Sequence, residues 1–105
     1  MIINIGSDSF EIYPLQPINL SRAAIYTIWT FNPTTNVYPL LYVGETGNLG
    51  QRIDTSHHKY QSWLNHTVSG LFMGVKLMPT SLYTEQQRRN EETRLINLYN
   101  PPCNG

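Results

Sequence analysis

The segment AAIYTIWTFNPTTNVYPLLYVG, residues 23–44, determines the fold that this sequence predicts. Residues 23–31 are rich in aromatic and β-branched side chains, which favour a strand. Residues 39–44, PLLYVG, indicate a second strand, and the NPTTN segment between the two has the residue types of a turn. Two such strands are expected to pair as an antiparallel β-hairpin.

The segments after the hairpin add a strand and a long helix. Residues 70–78, GLFMGVKLM, indicate a third strand, and residues 84–99 indicate the helix. Thr84 and Gln87 have the spacing of a capping box at the start of this helix, and Pro101 stops it.

The order of elements predicts an α+β domain. Asn48 is the predicted N-cap of a helix that carries Arg52, and residues 57–66 indicate a polar segment that is helical or irregular. The order β-β-α-β-α predicts a small antiparallel sheet of three strands, or four, flanked by helices. We assign residues 1–22 to an N-terminal extension that serves as a strand or wrapper, and residues 23–105 to the domain itself.

Composition limits the function without choosing one. The chain has 105 residues, enough for one core, and seven Lys and Arg balance seven Asp and Glu. Only one of these basic residues precedes position 50, so a contact with nucleic acid has to come from a local cluster. The single cysteine, Cys103, cannot form an internal disulfide, and no apolar run approaches the roughly 18–20 residues of a membrane span. Because no signal peptide is recognisable either, we expect a cytoplasmic protein.

Glu92 is the most informative single residue in the pattern. The apolar positions of the last helix follow it by three, four and seven residues, at Leu95, Ile96 and Tyr99. Glu92 therefore lies on the stripe that faces the sheet, where a carboxylate is costly unless it is paired or binds a cation. One interpretation is a structural ion pair with Arg88 or Arg89, and the other is a metal-binding or catalytic role. Periodicity leaves both open.

Four ordered elements of the chain resemble the GIY-YIG nuclease family. AIY at residues 24–26 and YVG at residues 42–44 are similar to the two tripeptides of the family. Arg52 follows Tyr42 by ten residues, as the arginine of the family does. The string ETRLINLYNPPCN, residues 92–104, is similar to the family's ending E-x-x-L-I-x-x-Y-x-P-x-x-N.

The resemblance implies a metal-dependent endonuclease that hydrolyses DNA phosphodiester bonds. Glu92 would be the only protein ligand of a Mg²⁺ or Mn²⁺ ion, and Arg52 would hold the scissile phosphate. Tyr26 would activate the attacking water, with Tyr42 as its hydrogen-bonding neighbour or the alternate base, and His57 is a competing base. The residues that we predict to contact nucleic acid are Arg52, His58, Lys59, Arg88 and Asn104.

A second function stays open beside the nuclease. Glu45 follows the YVG tripeptide, where a carboxylate would repel a phosphate, and the chain carries no net charge. These features favour a catalytically inactive module on the same fold that binds nucleic acid or a protein. As partners we expect nucleic acid, above all DNA, and no membrane. A homodimer or a protein partner would then supply specificity.

Overall fold

Strands and helices account for most of the described chain. The structure is a computed structural model that describes residues 1–15, 23–48, 57–76 and 84–104. Its elements are, in chain order, β1 (Ile2–Ile5), β2 (Asp8–Pro14), β3 (Ala24–Phe31), β4 (Leu40–Thr46), α1 (Tyr60–Asn65), β5 (Ser69–Lys76), α2 (Glu85–Tyr99) and a final 3-10 turn (Pro102–Asn104). Within these stretches, neither helix has the length and apolar character that crossing a membrane requires.

The strands form one antiparallel sheet in the order β1-β2-β5-β3-β4. The α+β prediction is confirmed, whereas the predicted number of three or four strands is too low. The additional strands come from the start of the chain, where β1 and β2 form a hairpin and β2 pairs with β5. Gly6 interrupts the β-prone sequence there, but its φ of +56° makes the hairpin turn. The boundary between residues 1–22 and 23–105 stays a prediction.

The predicted hairpin of β3 and β4 is present, and its turn has the expected chemistry. The Asn32 side chain accepts the backbone N–H of Thr34 at 3.0 Å, which is a local hydrogen bond typical of asparagine in turns. Asn36 has a left-handed φ of 57°, a conformation that asparagine tolerates better than most residues. The NPTTN segment therefore folds back because two asparagines stabilise its backbone.

The sheet separates two apolar clusters, one on each face. The first contains the side chains of Tyr26 and Tyr42 together with Trp63 of α1. The second contains Ile25 of β3 and the fully buried Leu95 of α2. Because successive residues of a strand point to opposite faces, β3 contributes Tyr26 to one cluster and Ile25 to the other. Helices α1 and α2 therefore pack on opposite faces of the sheet.

Helix α2 begins and ends where the sequence predicts. Thr84 Oγ1 accepts the backbone N–H of Gln87 at 3.1 Å, and the Gln87 side chain accepts the Thr84 N–H at 2.7 Å, so the capping box is formed. At the other end, Asn100 adopts a left-handed φ of 47° and Pro101 follows it. The helix predicted after Asn48, and the last two residues of the predicted third strand, lie outside the described residues.

A charged network anchors the start of β2 to α2. The Asp8 carboxylate is 5% exposed, accepts hydrogen bonds from Arg94 and from the Tyr99 hydroxyl at 2.8 Å each, and lies 3.3 Å from Lys76 Nζ. Glu91 completes the network through Lys76, at 2.7 Å, and Arg94. Burial raises the pKa of the Asp8 carboxyl, but its hydrogen bonds outweigh burial and hold the pKa below the ordinary value.

We expect Asp8→Asn to lower the free energy of unfolding by about 1–2 kcal/mol, because it removes the buried carboxylate that Lys76, Arg94 and Tyr99 share and leaves Glu91 as the only anion of the network. Urea denaturation at neutral pH measures this loss. Glu85→Gln is the matched control, since Glu85 is 63% exposed in its ion pair with Arg89; we expect no more than about 0.5 kcal/mol there.

The same network makes the Asp8 contribution depend on pH. Its native pKa is lowered, so the contribution is present above the unfolded pKa of about 3.9 and is lost as pH falls through the native pKa. The stabilities of wild type and Asp8→Asn should therefore converge in acid. A difference that is constant down to the lowest pH would contradict the ionic origin of the stabilisation.

Candidate active site

Two buried tyrosines form the centre of the candidate site. Tyr26 of β3 and Tyr42 of β4 are 6% and 8% exposed, and their ring centroids are 6.0 Å apart. A hydrogen bond couples the two side chains. The hairpin register brings them together, since Tyr26 pairs with Gly44 and Tyr42 with Ile28 on the same face of the sheet. The tyrosines of the two tripeptides are therefore neighbours.

The glycine of YVG has a steric reason in this structure. A Cβ atom at Gly44 would lie 2.4 Å from Cζ and 2.5 Å from the hydroxyl oxygen of Tyr26. Real Cβ atoms do not approach other atoms so closely, so any side chain at position 44 displaces the Tyr26 ring. Gly44 thus allows the Tyr26 hydroxyl to lie directly over β4.

His57 contacts the same hydroxyl from the side of α1. Its Nε2 lies 2.8 Å from the Tyr26 hydroxyl, and its Nδ1 accepts the backbone N–H of Lys59 at 3.0 Å. Because Nδ1 faces a donor, the proton of the neutral ring must be on Nε2. His57 therefore donates to Tyr26, and the Tyr26 hydroxyl is also coupled to Tyr42. The hydrogen-bond chain thus runs in one direction from the Lys59 amide through His57 to Tyr26.

The environment keeps these groups in their neutral forms. Burial lowers the pKa of His57 to about 4, and the neighbouring His58 acts in the same direction. Burial raises the pKa of Tyr26 well above its ordinary value, and its interactions with Tyr42 and the charge of Glu92 raise it further. Burial also raises the pKa of Tyr42, but the hydrogen bond from Tyr26 opposes that rise. Tyr42 is therefore the phenol whose ionised form receives a hydrogen bond.

Trp63 packs against the aromatic rings of the site, although it is not among the predicted site residues. Its fully buried ring lies 4.5 Å from the His57 ring and 5.6 Å from that of Tyr42, measured between centroids. Its indole N–H has no acceptor in the part of the chain that the structure describes. Trp63 thus acts through ring contacts. An aromatic residue six positions after His57 is the only signal in the sequence.

Glu92 is a half-buried carboxylate without an ion pair among the described residues. It accepts the backbone N–H of Glu45, immediately after Gly44. Burial raises the pKa of Glu92 and the charge of Glu45 adds to the rise, whereas this N–H and the charge of Arg89 work against it. Its own charge in turn raises the pKa of both Tyr26 and Tyr42, so the carboxylate is electrostatically coupled to the tyrosines.

The two arginines considered as partners of Glu92 bind other carboxylates. Arg88 donates to Glu45 at 3.1 Å, and Arg89 donates to Glu85 at 2.8 Å and lies 3.8 Å from Glu45. The structural ion pair with Glu92 is therefore absent from the described residues. The Glu45 carboxylate is held against α2 by these contacts, and its charge is compensated there.

The remaining predicted site residues have diverse positions. Asn104 forms two hydrogen bonds with the main chain of Val43, its Oδ1 accepting N–H at 2.9 Å and its Nδ2 donating to the carbonyl at 2.8 Å. Arg88 is buried beside Glu45, Lys59 contributes its amide to His57, and His58 is exposed. Arg52 lies outside the described residues. The nucleic-acid contacts of all five stay predictions.

The described stretches contain no group of three or more His, Cys, Asp or Glu side chains placed to hold a metal ion. Comparisons of the chain with protein-family models, with curated proteins and with solved structures found no match in any of the three.

We expect Gly44→Ala to lower the free energy of unfolding by about 1–3 kcal/mol and to break the contact between Tyr26 and His57. Gly47→Ala is the matched control, because a Cβ there would meet Arg88 at an ordinary 3.7 Å. Urea denaturation of both variants measures the difference. Equal stabilities for the two would show that the Tyr26 ring does not occupy the space over Gly44.

We expect the His57 imidazole to titrate near pH 4, measured from its ring C–H signals by NMR. The unfolded chain takes up this proton near its ordinary pKa of about 6.5, so the contribution of His57 to stability is complete above that pH and is lost as pH falls toward 4. His57→Gln should remove the part of the acid destabilisation that lies in this interval. A His57 midpoint near the ordinary value would contradict the buried, amide-facing ring.

Proposed function

We propose that this chain is a metal-dependent endonuclease of the GIY-YIG type, which hydrolyses phosphodiester bonds of DNA. The observation that carries the proposal is the position of Glu92. It is half-buried, has no ion pair among the described residues, and is coupled to a hydrogen-bonded pair of tyrosines. A carboxylate in such surroundings is costly unless a cation compensates it, and the arginines nearby are engaged by Glu45 and Glu85.

The donor set fits one particular kind of cation. A single carboxylate is too little for a closed protein cage, but Mg²⁺ and Mn²⁺ prefer oxygen ligands, and Mg²⁺ retains most of its water. Such an ion, when bound, supplies electrostatic stabilisation of the charge that develops on the phosphate and the leaving oxygen. The Glu45 N–H favours the ionised form of Glu92, which is the form that holds a cation.

The hydrogen-bond chain favours Tyr42 as the general base, with Tyr26 as the residue that supports it. Tyr42 is neutral in the protein alone, so its phenolate would form only when the bound cation and Arg52 lower its pKa and its proton passes to solvent. The hydrogen bond with Tyr26 favours this ionised form, and the Tyr42 oxygen would then take a proton from the attacking water and become a phenol again. His57 cannot replace it in this arrangement, because its Nε2 already carries the proton donated to Tyr26.

Two further residues have assigned roles in the proposed reaction. Arg52 would hold the scissile phosphate through two parallel hydrogen bonds, a role that rests on the family resemblance. Asn104 positions β4, since its amide occupies the main-chain groups of Val43, next to Tyr42. Arg88 and Arg89 hold the Glu45 carboxylate toward α2, which reduces its repulsion of a phosphate.

We expect Glu92→Gln to lower the rate of cleavage by a factor of at least about 10², because the neutral amide cannot hold the cation. The variant should fold like wild type. Supercoiled plasmid and single-stranded and branched oligonucleotides are incubated with Mg²⁺, Mn²⁺ or EDTA, and the products are separated on gels. Glu85→Gln is the control, since Glu85 is an exposed carboxylate of the same helix. It should cut like wild type.

The same assay separates the nuclease from the inactive module. Tyr42→Phe should also lose cleavage, while Tyr26→Phe should retain part of it if Tyr42 is the base. Cleavage that survives in Glu92→Gln and Tyr42→Phe would refute the proposed mechanism. Binding of DNA without cutting on any substrate would favour a catalytically inactive nucleic-acid-binding module.

A further inference from the structure

Three rings extend outward from the core to the surface beside the tyrosine pair. Trp63 is fully buried, its ring centroid lies 4.5 Å from that of the half-buried His57, and the His57 centroid lies 4.5 Å from that of the exposed His58. The planes of the two histidines differ by only 20°, so they are stacked. We call Trp63, His57 and His58 the ring stack. Its outermost member, His58, is exposed.

The ring stack is attached directly to the proposed catalytic groups. His57, its middle member, is 2.8 Å from the Tyr26 hydroxyl, and its ring centroid is 5.5 Å from that of Tyr42. A flat group on His58 would therefore be a close neighbour of a phosphate at the tyrosine pair. In a nucleic acid, the flat group nearest to a phosphate is the adjoining base.

The charges of the protein favour stacking over phosphate contacts. Seven basic residues balance seven acidic ones, and five of the basic residues lie in the described stretches. Four of these five form ion pairs with carboxylates of the same chain: Lys76, Arg88, Arg89 and Arg94. Gripping duplex DNA mainly through its phosphates needs a basic excess. Stacking of bases on aromatic rings supplies affinity without such an excess.

We infer that the exposed face of His58 is a stacking platform for an unpaired nucleobase next to the scissile phosphate, which makes single-stranded DNA and the unpaired arms of branched DNA the substrate class. This inference rests on the proposed function. A base inside a duplex has neighbours on both faces, whereas an unpaired base can turn one face to the protein. The His58 ring stacks on His57, which in turn packs on the buried Trp63, so it is oriented before the strand arrives.

The test measures stacking without requiring cleavage. Oligonucleotides that carry the fluorescent base 2-aminopurine are titrated with the wild-type protein in EDTA, as single strands, as duplexes with an unpaired arm and as blunt duplexes. We expect quenching with the first two and little with the third. His58→Ala should weaken single-strand binding by about tenfold or more, and His58→Phe should retain both the binding and the quenching.

The control variant and the contrary outcomes make the test decisive. His66→Ala removes an exposed histidine that contacts Ser62 and Cys103 and lies outside the ring stack, and it should bind like wild type. Equal loss in His58→Ala and His58→Phe would identify a polar or ionic contact and overturn the stacking platform, as would equal binding of blunt duplex.

Cleavage, measured separately, distinguishes this inference from the proposed function. Metal-dependent cutting of blunt duplex that is unchanged in His58→Ala overturns the inference and leaves the nuclease intact. Stacking in EDTA without cutting in any metal supports the platform and overturns the nuclease.

Discussion

The candidate site depends on the absence of a side chain at Gly44. The Tyr26 ring occupies the space in which a Cβ of residue 44 would lie, at 2.4 Å from the nearest ring atom. This approach lets the Tyr26 hydroxyl reach both Tyr42 and His57 across the hairpin. The peptide that follows Gly44 donates its N–H to Glu92. Gly44 thus leaves space for the Tyr26 ring, and the amide of the next residue binds the Glu92 carboxylate.

Backbone amides determine the chemistry of the site as much as side chains do. The Lys59 N–H fixes the proton of His57 on Nε2, and the Glu45 N–H favours the ionised form of Glu92. Both donors keep their proton over the whole physiological range of pH, unlike a titratable group in the same place. The direction of the hydrogen-bond chain is therefore a property of the fold.

The sequence predicts the parts of this structure that depend on local chemistry. The hairpin of β3 and β4 and both ends of α2 follow from strand-forming residues, two asparagines and a capping box, each of which acts within a few positions. The sequence predicts a strand or wrapper in residues 1–22 but not the β1–β2 hairpin, because Gly6 looks the same in a sequence whether it breaks a strand or turns it. The partner of Glu92 could not be chosen either. Arg88 has suitable helical spacing, but Glu45 of another strand binds it.

The same limit applies to the histidines. No sequence pattern states that Nδ1 of His57 faces an amide two residues later, since that contact depends on how the chain turns before α1. The ring stack is likewise formed by packing, because His57 precedes α1 and Trp63 lies inside it. The residue types could be named in advance, and their proton positions and stacking partners could not.

The bond between Asn104 and Val43 also affects how this protein meets other chains. Strand β4 is at one border of the sheet, and an exposed border strand offers its main-chain groups to any passing strand. The Asn104 side-chain amide binds both the N–H and the carbonyl of Val43, as the main chain of a neighbouring strand would. A side chain thus imitates one residue of a sixth strand. Beside Tyr42, one pair of main-chain groups of this border is therefore unavailable to a strand of another chain.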